Sequence, residues 1–251
     1  MSACIGIIGG SGLDNPDLFT PDEEILPETP FGRPASPLRR GRVKGADADI
    51  ILLSRHGIDH SVPPHKIDHR ANMTALKDAG CTHVLATTAC GSLREDLHPG
   101  ALVVPDQFID FTRRPATLFD RFENGEARHV VMADPFDQNL REVLLASARD
   151  AGLEAKDGGC VVSIAGPRFS TRAESRMFRL WGCDIINMTV APECAIANEA
   201  GLPYAAMAMV TDYDCWDKDR PAMGFEEIMA VLETNVSNIL SVLLRAIARL
   251  S

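Results

Sequence analysis

Residues 205–216 read AAMAMVTDYDCW, an apolar run that ends abruptly in two carboxylates. The run predicts a buried strand whose end opens into a site. Asp212 and Asp214 follow it, and on a continuing strand they would point to the same face. No Lys or Arg lies near the pair before Lys218. Two acceptors without a cation suit a ligand that offers hydrogen-bond donors, although Asp is also common in ordinary strand-end turns, where it bonds its own backbone.

Composition limits the classes of partner. The chain has 251 residues, 45% of them hydrophobic, which is enough for one large core, and we expect a single α/β domain over residues 1–251. The net charge of −10 without a block of basic residues argues against nucleic acid and anionic membranes as partners. No later segment is expected to reach the length of a membrane span. The seven cysteines contain no CxxC pair, which favours reduced thiols in a soluble, cytoplasmic protein.

Three earlier predicted strands also end in small or polar residues. Ser11 lies in the glycine loop after the first strand, Arg55 and His56 follow a second, and Thr88 follows a third. Backbone N–H groups of a glycine loop, a guanidinium and an imidazole all suit an anion. Taken alone, the junctions at Ser11 and Thr88 are better explained as plain turns. Because ligands of α/β sheets bind at the carboxyl ends of strands, the three together predict one anion site.

Later residues admit two interpretations each. Phe169 and Ser170 precede a predicted capping box at 171–174, so the ring either stacks on a base or serves as a hydrophobic staple. Met188 suits the face of a sugar but is more commonly a core residue. His129, taken by itself, is best explained as a half-buried structural histidine.

Metal binding is not expected. Two histidine pairs, His56 with His60 and His65 with His69, have the spacing of a metal pair on a helix. Intervening proline and glycine residues break any such helix, and the acid of the HExxH motif is missing. The sequence therefore predicts neither a metal nor an organic cofactor.

With these residues identified, the sequence resembles the trimeric purine nucleoside phosphorylase superfamily, and most closely its S-methyl-5′-thioadenosine phosphorylase branch. The motifs that carry the resemblance are IGIIGGSGL at 5–13, RHG at 55–57, THVLATTACGSLRE at 82–95, DQFIDFT at 106–112, GPRFSTRAES at 166–175, INMT at 186–189 and TDYDCW at 211–216. The resemblance implies a single α/β domain with a distorted mixed β-sheet or barrel core surrounded by helices. It also implies a homotrimer or a dimer of trimers, with sites near subunit interfaces.

The resemblance also assigns roles by motif. The implied phosphate-binding residues are Ser11, Arg55, His56, Thr88, Ala89 and Thr189. The implied nucleoside-binding residues are Phe169, Ser170, Met188, Asp212, Asp214, His129, Phe225, Ile228 and Met229. Among these, Asp212 and Asp214 are the catalytic candidates, and His129 would be lent by a neighbouring subunit to the 5′ pocket, which replaces its structural interpretation.

The implied reaction is phosphorolysis of S-methyl-5′-thioadenosine to adenine and 5-methylthioribose 1-phosphate, with inorganic phosphate as co-substrate. Two carboxylates favour a 6-aminopurine, because they accept from its amino group. The alternatives are a phosphorylase for 6-oxopurine nucleosides such as inosine, guanosine or methylthioinosine, or one of broad purine specificity. Asp68-His69 and Phe225 depart from the residues that the resemblance leads one to expect at these positions. These departures affect how the 5′ substituent is expected to fit.

Overall fold

The computed structural model describes residues 3–10, 20–43, 46–113, 116–219 and 223–251. Within these ranges eleven strands form one mixed sheet, which five α-helices cover. The strands are β1 (Cys4–Gly9), β2 (Thr20–Ile25), β3 (Leu38–Arg42), β4 (Asp49–Ser54), β5 (His83–Ser92), β6 (Leu102–Val104), β7 (Gln107–Phe111), β8 (Ala155–Asp157), β9 (Cys160–Ile164), β10 (Ile185–Asn187) and β11 (Tyr204–Tyr213). The helices are α1 (His69–Asp78), α2 (Gln138–Asp150), α3 (Arg172–Leu180), α4 (Val190–Ala200) and α5 (Phe225–Leu250). The expected α/β class is confirmed.

The sheet is distorted around β5, which has three strand partners. Its first half pairs with β1 in parallel, its last residues pair with β10 antiparallel, and β11 runs parallel to it along most of its length. The main path runs β2-β3-β4-β1-β5-β10-β9-β7, while β11 continues to β6 and β8. Because β4, β1, β5 and β11 are mutually parallel, their carboxyl ends lie at one edge, where the sequence predicted a site.

Buried apolar residues form three clusters, of which the two largest lie on the two faces of the sheet. Met73 and Leu76 of α1 pack with α4 on one face. On the other face, Leu144 of α2 packs with Ile239 and Leu243 of α5. Helices on both faces explain why the central strands are apolar throughout rather than alternating.

The apolar pattern of residues 103–111 predicts one strand, and this prediction is wrong. The segment forms the end of β6 and the whole of β7, which pair with different strands. Pro105 lies at the break, where its missing N–H prevents continued pairing.

The expectation that no segment reaches membrane-spanning length is also wrong for α5. Its 26 residues, with a mean hydropathy of 1.3 in the most apolar window, are long and apolar enough by length and composition. The helix is nevertheless amphipathic: Val242 and Ile247 are buried in the core, whereas Glu226, Glu233 and Arg245 are exposed. Core helices of soluble proteins pass the same test, so this is weak evidence for a membrane span.

Candidate active site

One cavity of about 420 Å³ lies at the carboxyl ends of β1, β4, β5 and β11. The sequence-predicted residues that line it are Arg55, His56, Thr88, Ala89, Phe169, Ser170, Met188, Thr189, Asp212, Asp214, Phe225, Ile228 and Met229. Ser11 lies outside the described residues. Arg55 directly follows the end of β4, as predicted. Thr88 also lines the cavity, but the prediction that a strand ends just before it is wrong, because β5 continues to Ser92.

Asp212 lies in a β-bulge at the end of β11. The pairing register with β5 shifts between Val210 and Asp212, and Thr211 is the extra residue. The Thr211 hydroxyl donates to Asp212 Oδ1 at 2.8 Å. Burial, with a smaller contribution from the negative charge of Asp214, raises the pKa of Asp212 to about 6, although the Thr211 hydroxyl opposes the shift. A carboxyl with this pKa can hold and transfer a proton near neutral pH.

Asp214 is fixed beside it by Ser170. The Ser170 hydroxyl lies 2.7 and 2.6 Å from the two carboxylate oxygens and can donate to either. The Asp214 backbone N–H donates to Ser92 O at 2.9 Å. Gly91 leaves room next to both acids, since a Cβ there would lie 3.4 Å from Asp214 Cβ and 3.6 Å from Asp212 Oδ2. This end of the cavity therefore presents two oriented acceptors beside open space.

Arg55 lies towards the other end of the cavity: it contacts Thr87, four residues before the Gly91 that adjoins the two acids on β5. Its side chain is 1% exposed and paired with a fully buried acid. Its Nε and Nη2 donate to the two oxygens of Glu193 at 2.7 and 2.6 Å, and its Nη1 donates to Thr87 O at 2.9 Å. Arginine commonly binds phosphate in bidentate fashion. Here the Nε–Nη2 edge already holds Glu193, so an anion must meet another part of the guanidinium.

His56 is neutral near neutral pH. Burial first, and the Arg55 charge second, lower the pKa of His56 to about 4. Its Nδ1 lies 2.9 Å from Val62 O, and because a carbonyl only accepts, Nδ1 carries the proton. The other ring nitrogen, Nε2, is therefore a hydrogen-bond acceptor, which suits an anion that still bears a proton.

A second buried network orients Thr88. Asn187 Nδ2 donates to Thr88 Oγ1 at 3.2 Å, and Asn187 Oδ1 accepts from Ser163 Oγ at 2.6 Å. Ser163 Oγ in turn accepts from the Ala191 backbone N–H in the first turn of α4, at 2.9 Å. The Thr88 hydroxyl is thus tied to the start of a helix.

Thr189 is the N-cap of α4 and also lines the cavity. Within the described part of the chain, its side chain caps no backbone N–H of the helix. The positive end of the helix dipole therefore lies at the same end of the cavity as Arg55 and Thr88.

Much of the remaining cavity wall is apolar and includes Ile164, Ile186 and Met188. Met188 packs against Gly166, whose φ of +63° favours glycine and where a Cβ would come within 2.5 Å of the methionine sulfur. The predicted capping box at the start of α3 is confirmed. Phe169 precedes it but is 51% exposed, more than a buried hydrophobic staple would be. The first turns of α5 close the wall with Ile228 and Met229.

His129 lies elsewhere. It is exposed, and its ring centroid is 5.8 Å from that of Phe122 in a separate hollow. The neighbouring Val131 is 83% exposed. Within one chain, His129 therefore contributes nothing to the cavity.

Sequence reasoning missed two functional candidates, Glu193 and Asn187. Glu193 lies in the first turn of a helix, where acids are common whatever their role, so its local sequence gives no signal. Asn187 precedes Met188 in the INMT motif, but no role was assigned to it. In the described ranges, no group of three or more His, Cys, Asp or Glu side chains is placed to hold a metal ion.

Comparison with known proteins agrees with this geometry. The model of the phosphorylase superfamily matches residues 4–248. An S-methyl-5′-thioadenosine phosphorylase from Xenopus tropicalis is 46% identical, covering 98% of this chain and 89% of the relative, and one from Drosophila melanogaster is 43% identical, covering 98% and 86%.

Solved structures give the same result. The methylthioadenosine phosphorylase of Schistosoma mansoni in complex with adenine superposes with a TM-score of 0.92 at 40% identity, covering 99% of this chain and 92% of the other. A substituted form of the adenosine/methylthioadenosine phosphorylase from the same organism, in complex with methylthioadenosine, also gives 0.92 at 40% identity, with coverages of 99% and 91%. The family match over nearly the whole chain establishes that this chain belongs to the phosphorylase superfamily.

Proposed function

We propose that the chain catalyses phosphorolysis of S-methyl-5′-thioadenosine, giving adenine and 5-methylthioribose 1-phosphate. An oxygen of inorganic phosphate forms a bond to C1′ of the sugar as the bond from C1′ to purine N9 breaks. The relatives of known structure are described as bound to adenine or methylthioadenosine, which supports the same substrate here. Inorganic phosphate is the co-substrate, and the reaction requires no further cofactor.

The observation that carries the proposal is the division of one cavity into two chemically opposite ends. Arg55, Thr88 and Thr189 supply donors and a helix N-terminus at one end, and Asp212 with Asp214 supplies acceptors at the other. A nucleoside has the matching polarity, since its purine offers donors and its C1′ becomes positive as the base leaves. Holding the phosphate beside C1′ combines positioning with electrostatic stabilisation.

Asp212 is the proton donor in this mechanism. The departing purine gains negative charge, and a proton delivered to N7 neutralises it. The pKa of Asp212, raised to about 6 mainly by burial, keeps a useful protonated fraction near neutral pH. A bound purine removes more water from the carboxyl and favours that neutral form further.

His56 and Arg55 make different kinds of hydrogen bond to the phosphate. Arg55, turned by Glu193, donates to the anion, whereas neutral His56 accepts through Nε2 from the hydroxyl of monohydrogen phosphate. Thr88 and Thr189 add hydroxyl groups, and Ala89 adds backbone at the same end. Ser11, outside the described residues, completes the proposed set.

The remaining wall favours a 6-amino base and an apolar 5′ group. Asp214 accepts from Ser170 and can accept from the purine amino group as well, because each carboxylate oxygen has two lone pairs. Ile228, Met229 and the half-exposed Phe225 offer apolar surface for a methylthio group. A free 5′ hydroxyl would gain no partner from these side chains.

We further propose that the active form is a homotrimer, or a dimer of trimers, in the cytoplasm. His129 is exposed beside Phe122 and Val131, so an apolar surface surrounds the residue that a neighbour would receive at its 5′ pocket. All seven cysteines are free thiols, which suits a reducing compartment.

The test is a substrate panel. Purified protein is offered methylthioadenosine, methylthioinosine, adenosine and inosine, each with and without phosphate, and the released base is quantified. The proposal predicts fast adenine release from methylthioadenosine only with phosphate. Release without phosphate would identify a nucleosidase, and faster turnover of inosine or methylthioinosine would identify a 6-oxopurine phosphorylase.

A further inference from the structure

The pair formed by Arg55 and Glu193 is among the most buried polar features of the described chain. Glu193 is 0% exposed, and the two residues lie 138 positions apart in the sequence. Their two hydrogen bonds, at 2.7 and 2.6 Å, join Nε and Nη2 of the guanidinium to the two different carboxylate oxygens. Such a fork fixes the rotation of the guanidinium plane as well as its position.

Other groups hold the pair from several sides. The Tyr204 hydroxyl, on β11, donates to Glu193 Oε1 at 2.7 Å, and His69 Nδ1 of α1 lies 3.9 Å from Glu193 Oε2. Gly10, after β1, lets the arginine approach its backbone, since a Cβ there would be 2.8 Å from Arg55 Nη1. Glu193 thus has polar neighbours besides Arg55, and neither Tyr204 nor His69 lines the cavity.

Glu193 affects both the net charge of the site and the direction of the Arg55 donors, and these two effects predict opposite results for its removal. Burial opposes ionisation of Glu193, but the Arg55 charge and the hydrogen bonds from Arg55 and Tyr204 outweigh it and hold the pKa of Glu193 below its usual range. The carboxylate therefore cancels the arginine charge at neutral pH. If net charge governed phosphate binding, removing Glu193 would strengthen it. If the direction of the N–H donors governed binding, removing Glu193 would weaken it.

We propose that Glu193 is a positioning residue: it fixes the guanidinium of Arg55 so that its donors are directed at the phosphate, and phosphate binding depends on this direction more than on net charge. The inference rests on the proposed function, because it assigns phosphate to the Arg55 end of the cavity. Tyr204 holds Glu193 in turn, since its hydroxyl occupies a carboxylate lone pair on the side of β11. The pair is enclosed before any ligand arrives, as preorganised donors require.

The experiment compares Glu193→Gln and Tyr204→Phe with the unaltered protein. Initial rates of adenine release are measured first with phosphate varied at saturating methylthioadenosine. They are then measured with methylthioadenosine varied at saturating phosphate. We expect Glu193→Gln to lower kcat/KM for phosphate by about 100-fold, the loss typical of a misplacement of about 1 Å. Tyr204→Phe should lower it by about tenfold, in line with one hydrogen bond to a charged group. The KM for the nucleoside should stay unchanged in both variants.

A control separates positioning from loss of a buried charge. Asp184 also accepts from a cation, Arg94 Nε at 3.0 Å, with a side chain only 15% exposed, but it lies outside the cavity. Asp184→Asn should lower the melting temperature without changing the KM for phosphate. The double variant Arg55→Met/Glu193→Gln, which leaves no unpaired charge, should recover melting temperature without recovering phosphate binding.

Phosphate binding is also measured without turnover, as the rise in melting temperature with added inorganic phosphate. A smaller rise for Glu193→Gln than for the unaltered protein supports the inference, even if methylthioadenosine proves not to be the substrate. An equal or lower KM for phosphate, or an equal or larger rise in melting temperature, overturns the inference while leaving the proposed reaction intact.

Discussion

Replacing Asp212 with asparagine should stabilise the protein while removing its activity. The substitution keeps the shape of the side chain and its ability to accept from Thr211, but it removes the charge. In the folded chain the pKa of Asp212 is raised from 3.8 to about 6, mainly by burial and secondarily by Asp214. Ionising this carboxyl therefore costs more in the folded state than in the unfolded state, and the asparagine variant avoids that cost.

The magnitude and the sign follow from proton linkage. Between pH 3.8 and about 6 the folded chain binds this proton and the unfolded chain does not, so stability falls as pH rises. Above about pH 6 the loss in the free energy of unfolding is complete and amounts to about 3 kcal/mol. The asparagine variant should gain about 1.6 kcal/mol at pH 5 and about 3 kcal/mol at pH 7 and above. For a chain of this size, the larger value corresponds to about 6 to 12 °C in melting temperature.

The assay is thermal and urea unfolding at pH 5, 6, 7 and 8. The control is Asp219→Asn, which removes an exposed carboxylate from the same segment and should have little effect on stability. Activity towards methylthioadenosine is measured in parallel and should be lost only in the Asp212 variant, because an amide cannot deliver a proton to the base. A gain independent of pH, or a loss of stability at pH 8, would refute the electrostatic reasoning.

At saturating phosphate, kcat/KM for methylthioadenosine should fall above about pH 6, because the free enzyme loses the Asp212 proton; a flat profile from pH 5 to 8 would exclude this carboxyl as the donor. Gly91→Ala adds a methyl 3.1 Å from Ile186 Cγ2 and close to both acids, so the nucleoside KM should rise more than about tenfold at constant phosphate KM. The opposite pattern in steady-state kinetics would place the base elsewhere. Asn187→Ala removes the donor to Thr88 Oγ1 and should raise the KM for phosphate by roughly 3- to 10-fold. An unchanged KM would show that Thr88 binds phosphate without the hydrogen bond from Asn187. Mixing inactive Asp212→Ala subunits with His129→Ala subunits should restore activity if His129 of one subunit enters the site of the next. Mixtures no more active than the separate variants would contradict this sharing of His129 between subunits.

The sequence was sufficient for the fold class and for most of the cavity wall. Long apolar runs such as residues 205–210 identify the buried strands, and parallel strands place their carboxyl ends together. Arg55 and Thr88 could therefore be assigned to one site without knowledge of the fold.

What the sequence could not supply were contacts between distant segments. Glu193 meets Arg55 across 138 residues, and nothing local to either one indicates the pairing. The bulge at Thr211 likewise has no local signal, although it sets how Asp212 and Asp214 face the cavity. The neutral state of His56 follows from burial and from Arg55, which become visible only when the chain is folded.

The position of His129 illustrates a different limit. Residue patterns alone favoured a structural histidine, whereas the resemblance indicated a residue used by a neighbouring subunit. The fold leaves His129 on the surface, away from the cavity of its own chain, so the role that the resemblance implies would require a neighbouring subunit.

Phosphorus NMR of a single reaction tests the central claim most directly. Purified protein is incubated with methylthioadenosine and inorganic phosphate, and adenine is quantified in the same sample. Phosphorolysis predicts one new sugar phosphate ester for each adenine released, and neither product with the Asp212→Ala variant. Adenine formed without an equal amount of ester, or an unchanged rate in the variant, would contradict the assignment of phosphate and of Asp212 to the two ends of this cavity.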